Sequence, residues 1–132
     1  ITNKKHIIMN SKVFMVLRIL LGLMLLVFGL NKFLHYLPQP EMSADAGAFF
    51  GAIMSTKTLM LVGIVEVVSG LAFLFNKYGA LMAIILMSVS VNIILFHVSL
   101  NPEGIGPGVV VFLLNIVMLY AYRDKYKDLL AG

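Results

Sequence analysis

Long runs of apolar residues constrain this chain more than any other feature. A helix needs about 20 mainly apolar residues to cross the hydrocarbon core of a bilayer, which is about 30 Å thick. The chain is 61% hydrophobic and only 12% charged, which is far from the composition of a soluble domain. The sequence therefore predicts an all-α membrane protein, a bundle of four transmembrane helices. The predicted spans cover about residues 13–37, 58–75, 78–100 and 107–122.

The segments between these runs contain signals that end or begin helices. Pro38 disfavours helical backbone in the residue before it, so we expect the first span to end there. Residues 39–56 are too polar and too broken to cross a bilayer, and we predict a short interfacial helix within them. The fourth span is expected to begin in a Gly- and Pro-rich segment, with Pro107 in its first turn. Residues 1–132 are thus expected to form a single membrane domain.

The basic residues predict how the bundle is oriented. Most of the 10 Lys and Arg residues fall on one side of the predicted bundle. They lie near the start, in the turn between the second and third spans, and in the tail: Lys4, Lys5, Lys12, Lys77, Arg123, Lys125 and Lys127. Basic residues are enriched in cytoplasmic loops, so both termini are expected in the cytoplasm, with the protein in the cytoplasmic (inner) membrane of a bacterium. The first apolar run is longer than the 7–15 residues (roughly) of a signal peptide, and we expect it to be retained.

The composition also excludes several classes of function. The chain contains no cysteine, which excludes disulfides, thiol catalysis and Cys-ligated metals. No His residues have the spacing of a metal site, so no metal is predicted. The basic pI of ≈ 9.5 comes from residues at the ends of the apolar runs, where they suit a cytoplasmic lipid surface better than nucleic acid. The lipid bilayer is the first predicted partner, and nucleic acid is not one.

Glycines share helix faces with charged residues in the first two spans. At 100° per residue, the first span has one stripe made of Arg18, Gly22, Leu25, Gly29, Lys32 and Tyr36. The corresponding face of the second span contains Gly63, Glu66, Val67 and Gly70. Glycine lets two membrane helices approach closely. We therefore predict that Gly22, Gly29, Gly63 and Gly70 are helix-packing residues.

Two residues on these faces are predicted to form a buried ion pair. An uncompensated charge at the centre of a membrane helix costs about 2.5–3.5 kcal/mol on insertion scales. Arg18 and Glu66 are expected to compensate each other across the bundle. Two interpretations stay open: a structural ion pair that fixes helix register, or a proton or substrate site.

A second group of polar residues is expected nearer the outer side of the bilayer. Asn92 and Asn115 are predicted to be buried, and Lys32, His35 and His97 are candidate contacts for a quinone or another ligand. On the third span Ser88, Asn92 and Ser99 form one stripe, whereas Ser90 and His97 lie on the opposite face. These side chains therefore cannot all face a single cavity.

Three sequence segments resemble the DoxX family of small four-helix membrane proteins. They are Leu17-Arg18-Ile19-Leu20-Leu21-Gly22, Phe28-Gly29-Leu30-Asn31-Lys32-Phe33 and Glu66-Val67-Val68-Ser69-Gly70-Leu71. The positions that match are Arg18, Gly22, Gly29, Lys32, Glu66 and Gly70. The resemblance implies a link to redox chemistry, because the family is named after a subunit associated with a quinone-linked oxidoreductase of sulfur metabolism.

Three functions follow as hypotheses. The first is a non-catalytic accessory subunit of a larger membrane complex with a redox or quinone link, whose partners are other membrane-protein subunits or further copies of the chain. The second is a quinone-interacting oxidoreductase subunit in which Arg18 and Glu66 manage protons and Lys32, His35 or His97 contacts the head group. The third is a small transporter or lipid carrier that acts as an oligomer. Quinone is the one cofactor considered, and the first hypothesis is favoured because the sequence offers no set of redox ligands.

Overall fold

A computed structural model describes residues 10–132 of the chain. Within that range the chain forms α-helices and no strand. The helices are α1 (Ser11–Leu34), α2 (Ala44–Ser55), α3 (Thr58–Phe75), α4 (Gly79–Leu100), α5 (Ile105–Ala121) and α6 (Lys127–Leu130). Two short 3-10 helices, Pro102–Gly104 and Arg123–Tyr126, lie on either side of α5.

Four of these elements are long and apolar enough to cross a membrane. They are Ser11–Leu34, Thr58–Phe75, Gly79–Leu100 and the continuous segment Pro102–Ala121. The predicted all-α fold with four spans is therefore confirmed, and the chain is an integral membrane protein. Pro107 lies in the first turn of α5, where its missing N–H removes no helical hydrogen bond.

The first span ends at Leu34, before the predicted end at residue 37. His35 has left-handed backbone with φ of 53°, and its N–H donates to the carbonyl of Asn31 at 2.8 Å. The N–H of Leu37 donates to Asn31 Oδ1 at 2.7 Å. The side chain of Asn31 thus accepts a hydrogen bond from a backbone N–H beyond the helix, and α1 ends before Pro38.

The short helix α2 lies in the segment where an interfacial helix was predicted, and its position is compatible with that role. Ser43 caps it by accepting a hydrogen bond from the N–H of Ala46 at 3.2 Å. Ala46 is fully buried, and Phe49 stacks on Phe96 of α4 with 5.4 Å between ring centroids. Most of the other side chains of α2 are exposed.

The four spans pack as two antiparallel pairs. Helix α1 packs mainly against α3, and α4 packs mainly against α5. Contacts between α3 and α4 and between α1 and α5 join the pairs around one core. That core contains Leu21, Leu25, Phe73, Met82, Ala83, Leu86, Val89, Val111, Leu114, Met118, Tyr122 and Tyr126.

The outside of the bundle is predominantly apolar. Large side chains such as Leu23, Leu61, Leu95 and Leu113 are at least half exposed. In water such a surface would drive aggregation, whereas in a bilayer it faces lipid chains of similar polarity. The orientation of the bundle stays a prediction, and Lys4 and Lys5, on which it partly depends, lie outside the described residues.

Candidate functional site

Close backbone contact between α1 and α3 forms the framework of the polar site. A Cβ atom added to Gly22 would lie 3.0 Å from the carbonyl oxygen of Gly70, and one added to Gly70 would lie 2.9 Å from that of Gly22. A Cβ atom added to Gly29 would lie 2.9 Å from Cβ of Glu66. At Gly63 it would meet the ring of Phe33 at 2.9 Å. All four glycines predicted to pack helices therefore lie at the α1–α3 interface.

A buried ion pair crosses this interface one turn away from the contact at Gly29. Lys32 Nζ lies 2.7 Å from Glu66 Oε1. The Glu66 side chain is 3% exposed and that of Lys32 is 20% exposed. Lys32 Nζ also donates to the carbonyl of Phe28 at 3.4 Å. The missing side chain at Gly29 brings the two backbones close enough for Lys32 and Glu66 to meet directly.

The predicted ion pair between Arg18 and Glu66 is wrong. Arg18 is buried, but its Nη1 donates to the carbonyls of Phe73 and Leu74. The antiparallel register is the reason, since Gly22 lies at the level of Gly70 and Glu66 at the level of Gly29. Arg18 therefore lies beside the end of α3, about 10 Å along the helix from Glu66 at 1.5 Å per residue.

The partner of Arg18 is thus the carboxyl end of a helix. Its last carbonyls carry a partial negative charge, and the carbonyl of Phe73 accepts only a long backbone hydrogen bond of 3.4 Å from Asn76, so a guanidinium group is favourable there. The ring of Phe14 lies 5.6 Å from Arg18 Cζ and packs edge-on against Tyr122 at 5.5 Å. Arg18 therefore holds together the end of α3, the start of α1 and the segment after α5.

Asn115 is completely buried and connects α5 to α4. Its Nδ2 donates to the carbonyl of Ala83 at 3.0 Å, and its Oδ1 accepts from Ser90 Oγ at 2.7 Å. Both ends of the amide therefore have a partner in the core, as a buried amide requires.

The prediction that Asn92 is buried is wrong. Asn92 is exposed on the outer face of α4, and its Nδ2 donates to the carbonyl of Ser88 at 2.7 Å. Two residues correspond to about 200° around a helix. Because Ser90 is fully buried against Asn115, Asn92 must point away from the bundle.

The three candidate ligand contacts are not brought together. Lys32 pairs with Glu66 between α1 and α3. His35 is exposed beyond the end of α1. His97 is half-buried near the α4–α5 connection, where its Nδ1 lies 3.1 Å from the carbonyl oxygen of Asn101. Residues 10–132 contain no cluster of three His, Asp or Glu side chains that could hold a metal ion.

Two tyrosines in the tail pack into the core, and sequence reasoning missed both. Tyr126 donates to the carbonyl of Ala80 at 2.7 Å, and its burial, with Tyr122 beside it, raises its pKa to about 12. Tyr122 packs against Gly79, where an added Cβ would collide with the Tyr122 hydroxyl. The signal was a glycine at the first position of α4 together with one tyrosine at the end of the fourth span and one among the charged residues that follow it.

Comparison with known proteins agrees with this architecture. The family model described as DoxX matches residues 13–98, which contain Arg18, Lys32, Glu66 and the four packing glycines. Neither the curated proteins nor the solved structures gave a match to the chain. The matched segment includes α2, α3 and nearly all of α1 and α4, and it covers more than half of the chain. On this evidence the chain belongs to the DoxX family.

Proposed function

We propose that this protein is a non-catalytic accessory subunit that packs its four-helix bundle against other membrane proteins of a larger complex. The observation that carries the proposal is that three buried polar residues make hydrogen bonds to groups on a neighbouring helix. Glu66 binds Lys32, Asn115 binds Ser90 and Ala83, and Arg18 binds the end of α3. These contacts leave the polar groups in structural roles.

The outer surface gives the subunit role a physical basis. Large apolar side chains are exposed along all four spans. Partner helices and lipid chains can both cover such a surface, and small shape differences decide between them. A redox or quinone link of the complex is part of this proposal, and it comes from the family resemblance.

The proposed location is the bacterial cytoplasmic membrane, with both termini in the cytoplasm. Among the described residues, basic side chains lie in the first turn of α1, between α3 and α4, and after α5, so they belong to one end of an antiparallel bundle. These residues are Lys12, Lys77, Arg123, Lys125 and Lys127. The positive-inside rule supports placing that end in the cytoplasm.

Purification from native membranes in a gentle detergent tests the subunit role. Mass spectrometry would identify the proteins, lipids and quinones that accompany the tagged chain. A defined set of partner proteins in constant ratio is expected. If the folded chain elutes alone and no partner is crosslinked to it in intact membranes, the proposal is wrong.

A second candidate function is direct interaction with a quinone, and the Lys32–Glu66 pair favours it. The pair is buried on the Glu66 side, yet one fifth of the Lys32 side chain is accessible. An ammonium group in that position can donate to a quinone carbonyl while Glu66 holds it in place.

Variants of the pair and of a residue in the other helix pair distinguish this candidate. Lys32→Gln and Glu66→Gln should each weaken binding of a ubiquinone or menaquinone analogue to the purified protein. His97→Ala is the matched control, because His97 lies at the α4–α5 connection. Equal binding by wild type and both Gln variants, with folding confirmed by circular dichroism, would exclude a quinone site at this pair.

A further inference from the structure

Two polar side chains on the outer face of α4 lie near the middle of a membrane helix, where exposed polar groups are unfavourable. Ser88 and Asn92 are both exposed. At 1.5 Å per residue they lie about 2 Å and 4 Å from the midpoint of α4. Elsewhere in the described spans, exposed polar side chains lie within one turn of a helix end. These are Ser11, Lys12, Thr58, Ser99, Glu103 and Tyr120.

The amide of Asn92 is only partly used within the chain. One of its two N–H groups donates to the carbonyl of Ser88, and Ser88 Oγ donates to the carbonyl of Ile85 at 2.8 Å. No hydrogen bond from residues 10–132 reaches Asn92 Oδ1. A primary amide has two donors and an acceptor oxygen, so one N–H and the oxygen remain free. Exposing such groups to hydrocarbon is costly because lipid chains offer no partner.

Asn92 also belongs to a regular repeat, which we call the α4 stripe. Its residues are all exposed, and their spacing alternates between four and three positions: Leu81, Ile85, Ser88, Asn92, Leu95 and Ser99. This is the spacing of the residues that form the seam between two helices of a left-handed coiled coil. A lipid-facing surface has the same helical period, so the amide and the hydroxyl near the centre of the stripe are what a helix facing only lipid would not need.

We propose that the α4 stripe is the interface with a second copy of this chain. Two copies inserted in the same orientation can pair about a two-fold axis along the membrane normal, so α4 packs parallel to its counterpart. In such an interface each residue near the axis meets its own counterpart. The free oxygen of one Asn92 then accepts from the free N–H of the other, and the reverse bond forms by symmetry.

A shallow, open groove lies along the stripe. Its volume is about 490 Å³, and its lining includes Ser88 and Asn92 of the stripe together with Ile84, Met87, Val91 and Leu119. Side chains such as Leu95 and Ile85 of the second copy would enter grooves of this kind on either side of the seam. Self-association through this face is independent of the subunit role proposed above, because it uses contacts between copies of the chain alone.

Disulfide crosslinking tests the proposed seam, since the chain has no native cysteine to interfere. Leu95→Cys lies on the α4 stripe, whereas Leu113→Cys on α5 and Ile64→Cys on α3 are equally exposed controls. In lipid vesicles at low protein density, oxidation should crosslink Leu95→Cys at least several times faster than either control. Equal crosslinking at all three positions, or none at Leu95→Cys, would overturn the proposal.

Substitution of Asn92 itself measures the contribution of its amide. Asn92→Leu should raise the dimer Kd measured by energy transfer in vesicles about tenfold, the effect of one interhelical amide contact in model peptides. Asn92→Gln keeps both donor and acceptor and should retain most of the affinity. An unchanged Kd in a folded Asn92→Leu protein would overturn the proposal. So would a strictly monomeric wild type whose α4 stripe crosslinks to a different membrane protein.

Discussion

The two helix pairs of this bundle hold together in different ways. At the α1–α3 interface, glycines bring the backbones into contact and an ion pair lies where they meet. At the α4–α5 interface, apolar side chains fill the space and Asn115 supplies hydrogen bonds to α4. In this protein the charged pair lies where the backbones are close, and its short Lys32–Glu66 distance lets the pairing offset part of the loss of solvation.

The largest expected effect comes from widening the α1–α3 contact. Gly70→Leu places a side chain against the carbonyl oxygen of Gly22, which is backbone and cannot rotate away. The variant should lose about 3 kcal/mol of unfolding free energy or more, the upper range for overpacking. Gly51→Leu on α2 is the control, because an added Cβ there meets nothing within 4 Å. Denaturation in mixed micelles measures the unfolding free energy of both variants. Similar losses for Gly70→Leu and Gly51→Leu would contradict the close contact between Gly70 and Gly22.

Removal of one ion-pair partner should have the next largest effect. Glu66→Ala leaves Lys32 without its carboxylate in a partly buried site and should cost about 2 kcal/mol, less than a fully buried pair would cost because Lys32 is 20% exposed. Replacing both residues, with Lys32→Met and Glu66→Leu, should recover most of that loss. A double-mutant cycle made of Lys32→Met, Glu66→Leu and the two together measures the coupling in unfolding free energy. Coupling near zero would mean that the glycines alone hold this interface.

Two asparagines in the α4–α5 pair test how burial changes the contribution of an amide to stability. Asn115→Leu removes the partner of Ser90 and Ala83 and should cost about 1 kcal/mol, in the range measured for hydrogen bonds in membrane bundles. Asn92→Leu makes the same chemical change on the exposed face of α4. At dilutions where the protein is monomeric, it should change the unfolding free energy by less than about 0.5 kcal/mol. Equal losses of unfolding free energy for Asn115→Leu and Asn92→Leu would contradict the different burial of the two side chains.

The smallest expected effect concerns the tail. Tyr126→Phe removes the hydrogen bond to Ala80 and should cost about 0.5–1 kcal/mol. The Tyr126 pKa rises from 10.0 to about 12 on folding, so the folded state favours the neutral hydroxyl. Its stabilising contribution should be complete below pH 10 and disappear as the pH rises from 10 to about 12. The unfolding free energies of wild type and Tyr126→Phe, measured at pH 9 and pH 11, test this expectation. A difference in unfolding free energy between the two proteins that grows with pH would contradict it.

Helix faces were predictable to different extents in the two pairs. The 100° period placed Gly22, Gly29 and Glu66 on inner faces, and the structure has them buried there. The same period separated Ser90 from Asn92 but did not tell which of them points inward. That choice depends on Asn115, which belongs to another helix and whose level relative to α4 is set by packing.

The sequence by itself determined that this chain forms four membrane spans and which residues share each helix face. Both follow from local physical rules, because apolar length and helical period depend on neighbours along the chain. Only the tertiary structure decided the pairing of charges. Glu66 binds Lys32 and Arg18 binds the end of α3, since the glycine contacts fix a register that no single helix contains.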